Sequence, residues 1–435
     1  MSEQRLHVGF GVMDITPAEG LLMAGGLDPR VNEGTLDPLK TSALYASCGE
    51  AAVVIVGADL ISMPRPLMDR VIDAIVSRTG LARSCVLVSC SHTHSGPYTN
   101  EPVWRKGVID ADYVGALPDR IATCVERAVA GAKPATMHLG RSLVYSGLHH
   151  RRVIGKHDGL AVNTWMPHLL NDLDAMGQVL GAAGCIDPEL WVARFDDADG
   201  RVLGTLVNFS LHANAIGGML WSADYPGAMA RQVGEAFGPE AVTVFTPGAC
   251  GNINPAFNVP ARQGIEELAG RAVEAARNAR PIAEPVTVAA VRSDLTVPRR
   301  DPYEQRDGAI ERLNWAGAGG RSDVFSPRVA AVAALDEQLP TTVSAARIGP
   351  LGIATNPGEL FVELGIEIKR RSPLPHTIVA ELTNDSMGYQ PDERGFACEG
   401  YETLVGPNRI APRGIAMLVD EAVTLLEKLG HREES

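Results

Sequence analysis

Apolar runs typical of β-strands alternate with runs of helical spacing along this sequence, and that alternation limits the possible folds most. Residues 51–58 and 85–90 are rich in β-forming side chains and bracket residues 66–77, whose apolar pairs recur at helical spacing. The same order returns later, with strands predicted at 202–211 and 242–245 and helices at 225–237 and 263–278. We therefore predict an α/β fold with a β-sheet core flanked by helices. We expect this fold to form a single large domain over residues 1–435.

The C-terminal third adds one clear helix and one weak segment. A final helix is predicted from one apolar face that comprises Ile415, Leu418, Val419, Ala422, Leu426 and Leu429. Residues 299–326 have the weakest apolar pattern of the chain. We expect a long loop or a small insertion there.

Composition and charge exclude several classes of protein. Hydrophobic residues make up 45% and charged residues 21%, which is typical of a globular chain and not of a disordered one. The formal net charge is −13 and no long Lys/Arg run is present, so we expect no nucleic-acid partner. The sequence shows neither a signal peptide nor a membrane-spanning run, which predicts a cytoplasmic protein without stable membrane association. The seven cysteines form no CxxC pair and predict neither a disulfide framework nor a thiolate zinc site.

Two histidines follow the predicted strand 85–90, in the run SHTHSGP at residues 91–97. In extended backbone, His92 and His94 would point to the same side and share one site. A His pair at such a strand end is a recurrent source of zinc ligands. Two hydrogen-bonded loop histidines would leave the same pattern, so the local sequence keeps both interpretations open.

A third histidine and a carboxylate end other predicted elements. His212 follows the run 202–211, where an ordinary strand-end residue would fit equally well. In NPGE at residues 356–359, Asn356 is predicted to cap a helix that has Glu359 at its third position. A carboxylate there either completes the cap or binds a cation, and the sequence does not separate these roles.

Three further features are each weak evidence for a functional site when taken alone. A Gly-rich loop, GACGNINP, spans residues 248–255, and two tyrosines, Tyr389 and Tyr401, each follow a glycine. A Gly-rich loop is usually only a turn, and a tyrosine after glycine usually packs against its neighbours. Their interest lies in their order along the chain.

Together these motifs resemble the catalytic domain of the neutral/alkaline non-lysosomal ceramidase family. The resemblance rests on their order between about residue 10 and about residue 407: DITP, LDPLKTSALY, SHTHSGP, CIDPEL, SLHANA, SADYPG, the Gly-Asn loop ending in Pro, NPGE, and GY…GYE. It implies the ceramidase catalytic-domain fold and a Zn²⁺ ion held by His92, His212, Glu359 and Tyr389. It also implies a catalytic role for His94 and roles at the substrate carbonyl for Tyr401 and Arg151.

Departures from the family pattern bear on the substrate. His150 stands where an Asn commonly precedes the active-site arginine, here Arg151. Asn254 replaces the Ser that precedes the Pro of the Gly-rich loop, and we count it among the site residues because the loop can still bind polar groups. The sequence contains neither a secretion signal nor the family's C-terminal immunoglobulin-like domain, so membrane ceramide is expected to be a poor substrate.

The residues and the resemblance together predict a zinc-dependent hydrolase that cleaves an amide bond of a small or medium soluble molecule by attack of zinc-bound water. Asp14, Asp59 and Asp224 are candidates for orienting the histidines. The same site would fit an ester or lactone substrate. Two other classes stay open, a metal-free hydrolase with Cys250 as thiolate nucleophile and a non-catalytic binding protein. The sequence gives no indication of the oligomeric state.

Overall fold

The structure is a computed structural model that describes residues 5–156, 159–163, 179–283, 285–304 and 322–430. Its strands, in chain order, are β1 (His7–Asp14), β2 (Gly34–Thr35), β3 (Lys40–Cys48), β4 (Ala51–Ala58), β5 (Val86–Cys90), β6 (Lys133–Leu143), β7 (Gly147–His150), β8 (Arg152–Gly155), β9 (Ala161–Asn163), β10 (Val179–Ala182), β11 (Glu189–Asp197), β12 (Val202–Phe209), β13 (Leu220–Trp221), β14 (Val242–Pro247), β15 (Ile253–Ala256), β16 (Arg280–Pro281), β17 (Val288–Pro298), β18 (Gln338–Ile348), β19 (Leu351–Thr355), β20 (Glu359–Leu360), β21 (His376–Ala380) and β22 (Tyr389–Gln390). Its α-helices are α1 (Arg65–Thr79), α2 (Ala111–Ala130), α3 (Asp224–Phe237), α4 (Ala261–Arg277), α5 (Ser322–Ala333), α6 (Val362–Arg371), α7 (Glu393–Ala397) and α8 (Pro412–Gly430).

Two sheets packed face to face form the centre of the described fold. The larger sheet has the order β14-β12-β11-β6-β1-β3-β4-β5, with β16 beside β6, and the smaller one has the order β17-β18-β19-β21. Helices α1 to α4 cover the outer face of the larger sheet, while α6 and α8 pack on the smaller sheet. This arrangement confirms the predicted α/β fold with a sheet core flanked by helices.

Burial on both faces explains why residues 51–58 are almost entirely apolar. In β4, Val54 and Val56 pack toward α1 and α2, whereas Val53 and Ile55 join the apolar layer between the two sheets. Successive side chains of a strand point to opposite faces, so a strand covered on both sides must be apolar at every position. The smaller sheet, which the sequence analysis did not identify, is what covers the second face.

One connection occurs in both sheets and sets the position of the site. A hairpin of antiparallel strands is followed by a helix that crosses to a parallel strand, in the orders β3-β4-α1-β5, β11-β12-α3-β14 and β18-β19-α6-β21. The carboxyl ends of parallel strands are where open α/β sheets usually bind ligands. His92 follows β5, His212 follows β12 and Glu359 follows β19.

Most of the predicted helices and strands agree with the structure to within a few residues at each end. The helix-capping prediction for NPGE is wrong. Glu359 lies in β20 and pairs with Tyr389 of β22, and α6 begins only at Val362. The cause is local, since the side chain of Asn356 accepts the Gly358 N–H at 2.9 Å and closes a turn that leads into β20.

The weak segment 299–326 is described only in part, because residues 305–321 lie outside the described residues. Its last residues belong to α5, which begins at Ser322. No helix in the described ranges has the length and apolar character needed to cross a bilayer.

Asn384 joins the two sheets near the site and gives a test of the packing. Its side chain accepts the Val88 N–H at 2.9 Å and donates to the Val86 carbonyl at 3.0 Å, so β5 is tied to the loop after β21. Asn384→Ala leaves both backbone groups of β5 buried without partners, and we expect the free energy of unfolding to fall by about 2–4 kcal/mol. The exposed Asn278→Ala is the control and should change it by less than about 0.5 kcal/mol. Equal effects of the two substitutions in denaturant titrations would contradict this account of the packing.

Candidate active site

Three imidazoles and one carboxylate meet at the loops that follow β5, β12 and β19. Nε2 of His92 lies 3.4 Å from Nε2 of His94, and the His212 ring centroid lies 4.8 Å from that of His92. The Glu359 carboxylate joins them, with Oε2 3.3 Å from Nε2 of His92 and 3.5 Å from Nε2 of His212. Loops that are far apart in the sequence therefore place four ionisable side chains around one point.

His92 and His94 meet in a way that differs from the predicted extended pair. The backbone leaves the strand at His92, whose φ of 63° lies in the left-handed region that side-chain-bearing residues rarely adopt. The turn that follows carries His94 beside the His212 loop, where its N–H donates to the Ala213 carbonyl at 2.9 Å. The two rings thus converge through a tight turn, and the i, i+2 geometry of a strand does not apply.

Backbone carbonyls fix the same tautomer in all three histidines. Nδ1 lies 2.7 Å from the Ile61 oxygen in His92, 3.0 Å from the Gly25 oxygen in His94, and 2.6 Å from the Cys250 oxygen in His212. A carbonyl oxygen only accepts, so each Nδ1 carries the hydrogen and each Nε2 keeps its lone pair. All three Nε2 atoms therefore present a lone pair, and that of His212 accepts a hydrogen bond from Nη1 of Arg151 at 3.1 Å.

These contacts correct one prediction. Asp14, Asp59 and Asp224 do not orient the imidazoles, because the carbonyl oxygens occupy that position. Asp59 instead accepts the Lys40 N–H at 2.9 Å, and Asp224 accepts the Ile216 N–H at 2.7 Å. In both aspartates the carboxylate holds a loop in place.

Glycines allow two of these loops to pack tightly. Gly25 has a φ of +88°, and a Cβ there would lie 2.7 Å from the His94 ring. At Gly251 a Cβ would lie 2.5 Å from the Glu359 carbonyl oxygen. Only glycine lets the backbone approach His94 and Glu359 this closely.

Burial and neighbouring charges keep two of the imidazoles neutral. Burial, with the positive charge of Arg151, lowers the pKa of His212 to about 4. Burial and the other two histidines lower the pKa of His94 well below its usual value. Against the effect of burial, His92 and His212 hold the pKa of Glu359 well below its usual range. The centre thus presents an ionised carboxylate beside imidazole lone pairs.

The remaining predicted residues also lie at this centre. Tyr389 is buried next to Glu359 in the β20-β22 pair, and the Arg151 guanidinium stacks on its ring at 5.2 Å. The Tyr401 ring centroid lies 5.6 Å from that of Tyr389. Nη1 of Arg151 donates to the Asn254 side chain at 3.3 Å. Arg151 and Asn254 thus meet through side-chain contact, although they lie far apart in the sequence.

Glu402 is a residue of the site to which the sequence analysis gave no role. It is fully buried, accepts from Nε of Arg151 at 2.7 Å and lies 3.3 Å from Nε of Arg152. The side chain of Asn163 donates to it at 2.6 Å. The motif GYE is the sequence feature that could indicate a role for Glu402, because its carboxylate directly follows Tyr401. Glu402 fixes the orientation of Arg151 from behind.

The donor set fits a zinc ion. Oε2 of Glu359 is buried without a hydrogen-bond partner among the described residues, and His92, His94 and His212 offer ligand atoms within 4.8 Å of one another. Imidazole nitrogen and carboxylate oxygen are common ligands of catalytic zinc. A cation at this point would supply the missing partner of Glu359. The geometric cluster includes His94, whereas the sequence prediction took Tyr389 as the ligand and His94 as the proton carrier.

A cavity of about 690 Å³ opens from this centre. Its lining includes the candidate residues His92, His94, Arg151, Asn254, Glu359, Tyr389 and Tyr401. A larger cavity, of about 830 Å³, lies beside α3 and is lined by Asp37, Asp59 and Asp224 but by none of the three histidines. The volume beside the imidazoles is of the size that binds small organic molecules.

Comparison with solved structures identifies the fold. The chain is similar to neutral ceramidase from Pseudomonas aeruginosa, with a TM-score of 0.73 and 19% identity over 98% of this chain and 75% of that one. It is also similar to a ceramidase complexed with C2, with a TM-score of 0.74 and 19% identity over 99% of this chain and 76% of that one. No protein-family model and no curated protein matches the sequence. The chain therefore has the neutral ceramidase fold, as the motif order predicts.

The metal content of the purified protein tests the donor set. We expect about one zinc ion per chain, because the imidazoles and Glu359 form one closed group of donors. His212→Ala should weaken zinc binding by more than the roughly 10–100-fold that loss of an outer partner costs. His138→Ala, on β6 beside Asp196, is the control and should leave zinc binding unchanged. Titration with a competing chelator measures both, and wild-type affinity in His212→Ala would contradict the site.

The role of Glu402 is tested through stability. Glu402→Gln keeps the shape of the side chain but leaves Arg151 and Arg152 buried without their counter-charge. We expect the free energy of unfolding to fall by about 3–5 kcal/mol. Glu235→Gln breaks an exposed ion pair with Arg231 and should cost at most about 1 kcal/mol. If the two substitutions cost the same in denaturant titrations, Glu402 is not the counter-charge that we describe.

Proposed function

We propose that this protein is a zinc-dependent hydrolase that cleaves an amide bond of a small or medium soluble molecule. The observation that carries the proposal is the cluster of His92, His94 and His212 beside a cavity, with Oε2 of Glu359 close to His92 and His212 and without a hydrogen-bond partner among the described residues. The ceramidase fold supports the choice of an amide bond, since the similar structures are ceramidases by name. His92, His212, Glu359 and Tyr389 would hold the ion.

When bound, zinc supplies a Lewis acid and lowers the pKa of water toward neutrality. His94 would accept the proton of the attacking water at Nε2, because its Nδ1 hydrogen is engaged by the Gly25 carbonyl. The same nitrogen returns a proton to the leaving nitrogen of the substrate.

Arg151 and Tyr401 would bind the substrate carbonyl. Nη2 of Arg151 is buried without a hydrogen-bond partner among the described residues, and Glu402 accepts from Nε of the same guanidinium. A donor that is already oriented stabilises charge on the carbonyl oxygen without reorganisation, and such a donor is typically worth about 2.7–4 kcal/mol of the barrier. The hydroxyl of Tyr401 is assigned to the same oxygen because its ring lies in the cavity wall beside Tyr389.

A thiolate nucleophile at Cys250 does not fit the structure. The residue is fully buried, and its Sγ lies 2.9 Å from a carboxylate oxygen of Glu381. Burial and that neighbouring carboxylate raise the pKa of the Cys250 thiol well above its usual value, which keeps it protonated. Its carbonyl, rather than its sulfur, serves the site by fixing His212.

A hydrolysis screen tests the function directly. The purified protein is assayed on N-acyl amides, lactams, esters and lactones, before and after chelation and after zinc is restored. We expect amide hydrolysis that is lost on chelation and returns with zinc. Amide turnover by the metal-free protein would contradict the metal-dependent reaction. Faster turnover of long-chain ceramide in detergent micelles than of every soluble amide would contradict the proposed substrate class.

Substitution of His92 and substitution of His94 should affect zinc binding and turnover differently. His92→Ala should lose zinc and activity together, whereas His94→Ala should keep zinc and lose turnover by roughly 10²–10⁴-fold. The loss in His94→Ala should be larger on an amide than on an activated ester with the same acyl group, because an amine is the poorer leaving group. Zinc content and kcat of both variants measure this. An empty zinc site in His94→Ala would make His94 a ligand and move the proton transfer to another residue.

A further inference from the structure

Two arginines line the cavity beyond the reacting centre, and neither takes part in the chemistry described above. Arg328 lies on α5, and Arg409 follows Asn408 in the loop that leads to α8. Both face the same 690 Å³ cavity as His92 and His94. The cavity beside the imidazoles is therefore also lined by two guanidinium groups.

Arg328 is held in place, but its charge is not neutralised. Its Cζ stacks over the Trp104 ring at 3.9 Å from the centroid, which fixes the plane of the guanidinium. Its Nη1 is buried and has no hydrogen-bond partner among the described residues. A buried N–H of a cation that lacks an acceptor is costly unless a ligand supplies one.

The guanidinium of Arg409 also lacks a hydrogen-bonded carboxylate among the described residues. Its Nη2 donates to the Ser386 carbonyl at 3.3 Å, a neutral acceptor. The nearby carboxylate of Asp385 is already engaged, since Thr341 donates to it at 2.9 Å and Arg65 lies 3.7 Å away. Burial lowers the pKa of Arg409, the carboxylate of Asp385 opposes this effect, and the like charge of Arg328 lowers the pKa further. Both guanidinium groups line the same cavity.

Among the described residues, the arginines near the reacting centre, unlike Arg328 and Arg409, form ion pairs with a buried carboxylate. Arg151 and Arg152 share the buried carboxylate of Glu402, whereas in the described part of the chain neither Arg328 nor Arg409 forms an ion pair. Apart from Glu359, the carboxylates that line the cavity are those of Asp28 and Glu101. Glu101 is turned toward the backbone of its own loop, where it accepts the Val108 N–H at 3.2 Å.

We propose that the substrate carries a free carboxylate in addition to its scissile amide bond, and that Arg328 and Arg409 bind this carboxylate. The proposal rests on the function proposed above. Two guanidinium groups present flat pairs of N–H donors that match the two oxygens of a carboxylate. The bound anion would supply an acceptor for Nη1 of Arg328 and remove the repulsion between the two cations.

The cavity lining is partly apolar and includes Ile61, Val103, Val332 and Leu335. A short hydrocarbon spacer would pack there without leaving polar groups unpaired. The expected substrate class is therefore an amide whose acyl or amine part is a short apolar chain that ends in a carboxylate.

Two matched pairs of probes test the inference. N-hexanoylglycine and the neutral N-propylhexanamide place the carboxylate on the amine side, while glutaryl-p-nitroanilide and pentanoyl-p-nitroanilide place it on the acyl side. The readout is the ratio of kcat/KM for the acid to kcat/KM for its neutral partner. We expect a ratio above roughly 10 for at least one pair, the range of a charge-assisted contact.

Arginine variants test whether Arg328 and Arg409 cause the preference for the acid substrates. Arg328→Gln and Arg409→Gln should each lower the acid-to-neutral ratio by roughly 10-fold or more, whereas Arg328→Lys keeps a charge and should retain part of it. Arg413→Gln removes the same charge from an exposed position on α8 and should leave the ratio unchanged. The ratio is internal to each variant, so partial loss of folded protein does not alter it.

The outcomes separate this inference from the proposed function. Turnover of the neutral amides with an acid-to-neutral ratio near one, or a ratio that the arginine variants do not change, overturns the carboxylate subsite and leaves the hydrolase intact. If none of the four amides is cleaved, the hydrolase proposal fails for these substrates, and calorimetric binding of N-hexanoylglycine decides the subsite. Binding that Arg328→Gln abolishes supports it, and absence of binding to the wild type overturns it.

Discussion

Three hydrogen bonds from imidazole Nδ1 atoms to backbone carbonyls determine what this site can do. The Ile61, Gly25 and Cys250 oxygens fix His92, His94 and His212 in one tautomer and direct each Nε2 toward a common point. Carbonyls in loops can hold such a geometry only if those loops are themselves rigid. The packed sheets provide this, because β14, which pairs with β12, also contacts β4, β5 and β21. The fold therefore orients the three imidazoles through backbone carbonyl oxygens.

Buried charge is the second constraint on the site. The carboxylates of Glu359 and Glu402 are shielded from solvent, and each is balanced by positive or proton-donating groups. Replacing such ion pairs with apolar residues often stabilises a protein, so their retention here points to a role in orientation. Glu402 orients Arg151 toward the reacting centre, and Glu359 anchors the position at which a cation completes the donor set.

The fold class, and which residues meet at the candidate site, could be predicted from the sequence because the signals are local. A run such as 51–58 followed by the helical pattern at 66–77 identifies a strand and a helix without knowledge of the rest of the chain. The site residues came from the order of short motifs, which survives where overall identity is low.

What the sequence could not give depends on long-range contacts. The smaller sheet and the burial of both faces of β4 require knowledge of which strands pair. The strand at Glu359 replaced the predicted helix start because pairing with Tyr389, thirty residues later, outweighs the capping pattern of NPGE. The carbonyl partners of the histidines carry no side-chain signature, and for this reason the sequence favours Asp14, Asp59 and Asp224 as the orienting groups. Glu402 was overlooked because its two arginines lie in a distant segment.

The central claim is that imidazole nitrogens and oxygens of this chain bind zinc, and X-ray absorption at the zinc edge tests it most directly. The account predicts a shell of nitrogen and oxygen atoms at roughly 2.0–2.2 Å with the outer scattering of imidazole rings, and no sulfur. In His212→Ala the imidazole scattering should decrease or the bound zinc should be lost. A sulfur shell at roughly 2.3 Å, or zinc surrounded by oxygen atoms without imidazole scattering, would contradict the account.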